Sequence, residues 1–562
     1  MTINQSIATH FESILTKLGC FNFEHIKEST EQSIINFETN LSHSTIKLSV
    51  TYSNTKRWLY LPTVKYLERN KPALAHVSNG GMICVTDHQG EMFDAQNRNS
   101  LFEFAVKKAL TILTKSLTDL QNGNRHDLYE ELEGYNQTVL STNKSVILSS
   151  EPYEDRKLYA LTRQTTERHK LHPKYTIHEI ISDNEIGSKS QTYTVVAVKT
   201  IVLKDIREFI IPNTFQEFTE DWWEQQIAKL PVEDQLKIKQ LDSFNIVLLQ
   251  IPTPKTPTYL VISYDFTGQP LIKFRNFKVQ GIQRAWKDYL LNRVGIEDIK
   301  QDKTVVIAGC GSVGSRVAEF LAQSNVSRLV LVDTDIMKTD NIMRHYLGLQ
   351  EIGQYKVTGL KNRLEQNIPN IKIQREVSDI ITWLNKQSLK DLMQIDALVL
   401  TTGHAPSELE VCNILFNKGV DIQVVAGWLE PYGLGGHVLS FSSNQDGCLN
   451  CLYHDEQGDS SIHIRTRLFE YDPNIVLSKN ISGCVGAFTA YGAIDATKTA
   501  IFIAECIVEN KFGLFSWISD VRKPSDYLLK ETDYYLKIVS HSHFLKTPIE
   551  NIKVLGCPCC SA

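Results

Sequence analysis

KTVVIAGCGSVGSRVAEFLAQSNVSRLVLVDTD, residues 303–335, reads as strand, glycine turn, helix and strand. That is a βαβ unit, and it predicts a parallel sheet with helices on both faces. The later apolar runs DALVLTT, DIQVVAG and GHVLSFS continue the same sheet. Gly309, Gly311 and Gly314 form G-x-G-x-x-G directly after the strand VVIA. The first glycine permits the tight turn, the second lets phosphate approach the backbone, and the third lets helix and strand pack closely. The phosphate then meets free N–H groups at the helix start. Asp333, at the end of the next strand, is placed to bind ribose hydroxyls. Taken alone, this pattern most often means NAD or FAD.

The next stretch shifts that reading. VDTDIMKTDNIMRHYLGLQEIGQYK, residues 332–356, sets Asn341, Arg344 and Lys356 shortly after Asp333. A dinucleotide needs no such cationic pair beyond its second strand. A triphosphate does: Arg and Lys can hold the phosphates while an acyl oxygen attacks the α-phosphorus.

With those residues in place, GCGSVGS, LVDTD, NIMRH and GQYK together resemble the adenylating domain shared by ubiquitin-activating enzymes and the bacterial sulfur-carrier activators MoeB and ThiF. The resemblance covers roughly 281–562. It implies that Asp333 binds the ATP ribose and that Asn341, Arg344 and Lys356 bind the phosphates. Where the family has an Asp for Mg²⁺, in a strand-end phrase of the D-x-T-D kind, this chain reads DALVLTTGHAPSE, with Gly403 at that position. Asp396 stands at the strand start instead. Magnesium is then held mostly by phosphates and water, or by another carboxylate. The family also uses an arginine from a dimer partner. Arg284 lies at about the right distance upstream, with Arg293 as the rival, and a homodimer through this domain is implied.

Two C-x-x-C pairs stand out among the eleven cysteines: Cys448 with Cys451, and Cys557 with Cys560. Four thiolates close a tetrahedral structural Zn²⁺ site. The wide separation fits a metal that ties a distant segment back onto the main domain, and MoeB and ThiF resemble this too. A redox pair or unligated thiols are the alternatives. The i, i+3 spacing favours Cys560 over Cys559, which is left without a role.

Cys484, in NISGCVGAFTAYGAIDATKTAIFIAE, precedes a long apolar helix whose N-terminus lowers a thiol pKa. The stretch resembles the segment where ubiquitin-type activating enzymes place their thioester cysteine. Cys506, inside the helical run, reads as core. In the front of the chain, LPTVKYLERNKPALAHVSNGGMICVTDHQGEMFD carries His76, Asn79 and Cys84 over a glycine loop. Asn can donate an amide to an oxyanion, His can shape the loop, and Cys can take and pass an acyl group. The phrase resembles the ubiquitin-conjugating fold, with H-V-S-N in place of H-P-N and Cys84 as nucleophile.

Three regions result: an α+β ubiquitin-conjugating-like domain over 1–120, a β-rich linker domain over 121–280, and a Rossmann-like α/β adenylating domain with a mostly parallel sheet over 281–562. In the first, an N-terminal helix and the runs STIKLSVTYS and RWLYLP as strands are expected. This order resembles the fused activating and conjugating proteins of CBASS anti-phage operons. The resemblance implies ATP, Mg²⁺ and Zn²⁺ as cofactors. It implies that a partner's C-terminus, from a cGAS-like nucleotidyltransferase or a ubiquitin-like carrier, is adenylated, passed to Cys484 and Cys84, and joined to an amine target. The alternatives are a sulfur-carrier adenylyltransferase with a non-catalytic front domain, an NAD-dependent oxidoreductase, and a non-catalytic scaffold.

Composition narrows the rest. The 562 residues are 42% hydrophobic and 22% charged, with a net charge of −5, so nucleic acid is a poor partner. The first twenty residues lack the features of a signal peptide, and no apolar run is long enough for a membrane span. The expected location is the cytoplasm, with reduced thiols.

Overall fold

The computed structural model describes the chain except residues 1–2, 28, 30, 56–57, 59, 69–71, 79, 87–92, 131–144, 153–155, 166–173, 184–185, 187–192, 211–217, 240–243, 267–273, 296–302, 325, 456–458, 476, 481–486 and 561–562. Asn79 and Cys484 therefore lie outside the described residues. The chain divides into two compact units, Met1–Trp286 and Lys287–Ala562.

The second unit is α/β, built on an eight-stranded sheet. Strands Lys372–Glu376, Arg328–Val332, Thr304–Ala308, Ala397–Leu400 and Gln423–Leu429 lie side by side and run parallel. Gly435–Ser442, Gly513–Ile518 and Phe544–Thr547 extend the sheet antiparallel. The central strands are continuous apolar runs because both faces are covered. Val306, Ala308, Leu398 and Leu400 pack on one side with Val411 and Leu415 of helix Ala405–Asn417. Val305, Ile307, Leu329 and Val399 pack on the other with helices Ser312–Gln323, Lys356–Asn367 and Ala493–Val508.

Strand order reverses at Thr304–Ala308, whose neighbours are Arg328–Val332 on one side and Ala397–Leu400 on the other. Such a switch point opens a crevice at the carboxyl ends of the strands, which is where the glycine loop lies. Asp396 is at the other end: its Oδ2 accepts the Thr304 N–H at 2.7 Å and so fastens the starts of the two central strands.

Two of the three glycines are demanded by packing. Gly309 has φ of +86°, and a Cβ there would lie 2.5 Å from the Thr401 carbonyl oxygen. A Cβ on Gly314 would lie 2.0 Å from the Gly309 carbonyl oxygen. At Gly311 a Cβ would meet nothing within 4 Å.

The first unit holds two sheets. Helix Ile3–Lys17 and helix Arg98–Gln121 flank an antiparallel meander of Cys20–Lys27, Gln32–Leu41, Ser44–Ser53 and Thr63–Tyr66. Phe11 and Phe102 join the helices, their rings stacked at 4.1 Å. In RWLYLP, expected as a strand, Arg57 and Leu59 lie outside the described residues, and Trp58 and residues 60–62 are in no strand. Trp58 is buried, but its backbone N–H bonds the Ala95 carbonyl and its indole the Ser53 carbonyl, and the strand begins only after Pro62. The other sheet has eight strands, from Phe274–Gln280 at one edge to Ile282–Arg284 at the other. Ile282–Arg284 pairs in parallel with Val146–Leu148, which is why the compact unit extends to Trp286 rather than ending near 280. No helix among the described residues is long and apolar enough to cross a membrane.

Thermal unfolding of two single variants tests the packing. Gly314→Ala forces backbone apart and is expected to destabilise by about 2 kcal/mol or more, whereas Gly311→Ala stays within about 1 kcal/mol of the parent. Equal melting temperatures for the two variants would contradict the packing described.

Candidate nucleotide site, thiols and metal centre

Helix Ser312–Gln323 starts at Gly311 without a side-chain cap for its first N–H groups, which can therefore meet an anion. The open space over Gly311 gives that ligand room. Asp333 borders the loop: its Oδ2 accepts the Cys310 N–H at 2.6 Å and its Oδ1 the Asp335 N–H at 2.7 Å. Each oxygen has capacity left for a donor such as a ribose hydroxyl.

Lys356 begins its helix buried, with its ammonium 2.7 Å from Asp335 Oδ2. The Lys356 side chain is 8% exposed and that of Asp335 66%. A buried cation with one solvated carboxylate partner is a group that an incoming phosphate can engage. Half-buried Arg344 lies over the Tyr491 ring, 5.1 Å from its centroid, and the Tyr491 hydroxyl is 2.8 Å from the Ser312 hydroxyl at the helix start. Arg344 thus reaches the glycine loop through Tyr491. Asn341 caps a short turn, its Oδ1 accepting the Lys338 N–H. Asp333 thus borders the glycine loop, Lys356 meets it through Asp335, and Arg344 through Tyr491.

Across the switch point, Thr401 Oγ1 donates to the Gly309 carbonyl at 2.8 Å. Buried Glu408 accepts from the Thr402 N–H and hydroxyl at 2.9 and 2.7 Å, and burial pushes its pKa up. Gly403 has φ of +70° and open space over its Cα. Sequence reasoning missed Glu408, His345 and Tyr491. Their partners lie on other elements, and no spacing along the chain marks them.

Among the described cysteines, Cys84 alone is exposed. A short hairpin positions it. Val77 bridges to Ile83, the Ile83 N–H bonds the Val64 carbonyl, and the Cys84 N–H bonds the His76 carbonyl at 2.8 Å. Gly81 has φ of +82° in the hairpin turn, and His76, just before the hairpin, has φ of +60°. The Cys84 thiol donates to the Thr86 carbonyl at 3.6 Å. Burial instead pushes the thiols of Cys20 and Cys506 up to about 11 and about 12, and those of Cys310 and Cys412 well up. That disfavours the thiolate form, and so nucleophilicity, at all four.

Arg284 donates to the Pro257 carbonyl, with its guanidinium over the rings of Tyr259 and Trp286 in the first unit. Arg293 is exposed at the end of helix Lys287–Arg293.

The two C-x-x-C pairs converge. Cys448, Cys451, Cys557 and Cys560 are buried, with their sulfurs all within 4.8 Å of one another. The cross-pair separations are 3.9 Å for Cys448–Cys557 and 3.5 Å for Cys451–Cys560. A tetrahedral ZnS₄ centre has sulfurs about 3.8 Å apart, so the cluster fits zinc. Thiol contacts from Cys448 hold Cys557 down to about 6 and lower Cys560 further. Arg465 Nη2 donates to both the Cys451 and Ile552 carbonyls at 3.0 Å and so bridges the two halves. Gly447 is required where Ile549 closes over it: a Cβ would lie 2.5 Å from the Ile549 side chain. Cys559 is buried beside the cluster.

Comparison with known proteins shows likenesses over part of the chain. Residues 283–508 match the model of the ThiF family. The chain is 27% identical over 180 residues to the uncharacterized protein y4oA of Sinorhizobium fredii, a match covering 30% of each chain. It is 22% identical to the ATP-dependent ubiquitin transferase-like protein Cap2 of Pseudomonas aeruginosa, over 52% of each chain. It is 28% identical to the ubiquitin-like modifier-activating enzyme 5 of Caenorhabditis briggsae, over 29% of this chain and 40% of that one. The chain spans between about a third and a half of the length of these relatives. A solved structure of E. coli MccB with succinimide overlays with a TM-score of 0.33 and 18% identity, over 48% of this chain and 69% of that one.

The metal centre makes a direct prediction. Protein purified without chelator should carry about one zinc per chain by elemental analysis, and Cys451→Ala should lose it and unfold at lower temperature. Metal-free protein with an unchanged melting temperature would remove zinc from the account.

Proposed function

We propose, from the premise that residues 283–508 are a ThiF-type adenylating domain, that this chain is an ATP-dependent activating and conjugating enzyme. The observation that carries this reading is the crevice itself: a glycine loop with open space over Gly311, Asp333 at its border, and buried Lys356 facing one exposed carboxylate. ATP fits that donor set. Asp333 would take the ribose, and the loop N–H groups, Asn341, Arg344 and Lys356 the phosphates.

In this reading a partner protein's C-terminal carboxylate attacks the α-phosphorus, and pyrophosphate leaves. Asn341, Arg344 and Lys356 offset charge gathering on the phosphates. A Cys484 thiolate then attacks the acyl carbon and AMP leaves. The Cys84 thiolate displaces Cys484 by thioester exchange. A lysine amine attacks last, giving an isopeptide bond and freeing the Cys84 thiol. His76 shapes the Cys84 loop, and Asn79 supplies an amide to the oxyanion. An arginine from a dimer partner, Arg284 or Arg293, would complete the adenylation site. Arg293 is the more exposed of the two.

Magnesium would be held by the phosphates and water, because Gly403 offers no side chain and Asp396 is bonded at the far end of its strand. Zinc on Cys448, Cys451, Cys557 and Cys560 would hold the two cysteine segments together. The names of the relatives, ATP-dependent ubiquitin transferase-like and ubiquitin-like modifier-activating, support the conjugating reading. The carrier proposed is a cGAS-like nucleotidyltransferase in an anti-phage operon, acted on in the cytoplasm.

Expression of the chain with its genomic neighbours, followed by intact-mass analysis, tests the reading. Cys84→Ala should abolish the final conjugate while leaving a reductant-sensitive adduct on Cys484. Normal conjugation by Cys84→Ala would refute the assignment of Cys84 and favour a sulfur-carrier adenylyltransferase with a non-catalytic front domain.

A further inference from the structure

His345 is buried, 4% exposed, between the segment that carries Arg344 and the glycine loop. The Leu347 N–H donates to its Nδ1 at 3.0 Å, so that nitrogen carries no proton. The ring is neutral: burial holds its pKa down to about 4. The ring proton is therefore on Nε2, which donates to the Cys310 carbonyl at 2.7 Å.

That carbonyl belongs to the Cys310–Gly311 peptide. In a trans peptide the C=O and the following N–H point in opposite directions. Fixing the Cys310 carbonyl on the His345 side therefore aims the Gly311 N–H away from His345. The preceding peptide is fixed as well, through the Cys310 N–H bonded to Asp333. Cys310 is thus clamped on both sides, and it is the residue just before the one position in the loop where a Cβ would meet nothing within 4 Å.

We propose that His345 is a positioning residue for nucleotide phosphate, holding the Cys310–Gly311 peptide so that the Gly311 N–H is presented to the bound ligand. This rests on the nucleotide reading above. His345 touches no substrate and acts through the loop backbone. It also links that loop to the segment of Asn341 and Arg344, so both phosphate-binding elements keep one relative geometry.

Calorimetry on the full chain, with Mg–ATP and with adenosine as separate probes, tests the assignment. His345→Leu removes the donor and should weaken ATP binding about tenfold, the worth of one hydrogen bond, while adenosine binding stays within about twofold. His345→Gln keeps an amide N–H within reach of the same carbonyl and should bring ATP binding back to within about threefold of the parent. Parallel loss of ATP and adenosine in His345→Leu would overturn the proposal. If the Leu variant does not fold, the Gln variant decides: a tenfold loss for ATP with adenosine unchanged overturns it. A parent protein that binds no ATP overturns the nucleotide reading and this inference with it, a result distinct from selective loss in a variant.

Discussion

Backbone stands against backbone where the glycine loop meets the end of strand Ala397–Leu400. Gly309 and Gly314 have no room for a Cβ, because the Thr401 and Gly309 carbonyls occupy that space. This close approach brings the start of helix Ser312–Gln323 to the switch point of the sheet. Everything proposed for the crevice depends on it. The helix N–H groups, the Asp333 carboxylate and the buried Lys356 ammonium converge because the loop can be this tight. Gly311, by contrast, is open, and its missing side chain leaves room for the proposed ligand.

Charge is distributed with the same economy. Asp333 accepts two backbone N–H groups and still has lone pairs free, while Lys356 is held ready by a single solvated carboxylate. Glu408 and Asp396, beyond the two ends of strand Ala397–Leu400, are committed to Thr402 and Thr304. The site is thus richer in phosphate donors than in metal ligands. In the cysteine cluster the balance is reversed: four sulfurs converge within 4.8 Å of one another, and Arg465 bonds backbone carbonyls at their edge. That cluster asks for a metal as plainly as the crevice asks for an anion.

Local patterns carried much of this into the sequence. The apolar strands, the glycine spacing and the i, i+3 cysteine pairs are short-range features, and the structure has each of them in the expected element. The pairing of the two knuckles was legible because four thiols have few other stable uses. What escaped were contacts between distant segments: His345 on the Cys310 carbonyl, Tyr491 under Arg344, Thr401 on the Gly309 carbonyl. None leaves a periodic trace in the sequence. RWLYLP misled because its aromatic residues suit a strand, whereas Trp58 bonds Ala95 and Ser53 instead of a ladder partner. The turn before Cys84 was read as a glycine loop, and Gly81 has positive φ there, as does His76 just ahead of the hairpin.

The central claim is that the crevice takes a nucleoside triphosphate rather than a dinucleotide. Equilibrium binding of labelled ATP and NAD⁺ to the purified chain, beside Lys356→Ala, tests it most directly. The account predicts saturable ATP binding that falls at least about tenfold in Lys356→Ala, the effect of losing one charge-assisted contact, with no NAD⁺ binding in either protein. Saturable NAD⁺ binding without ATP binding would contradict it.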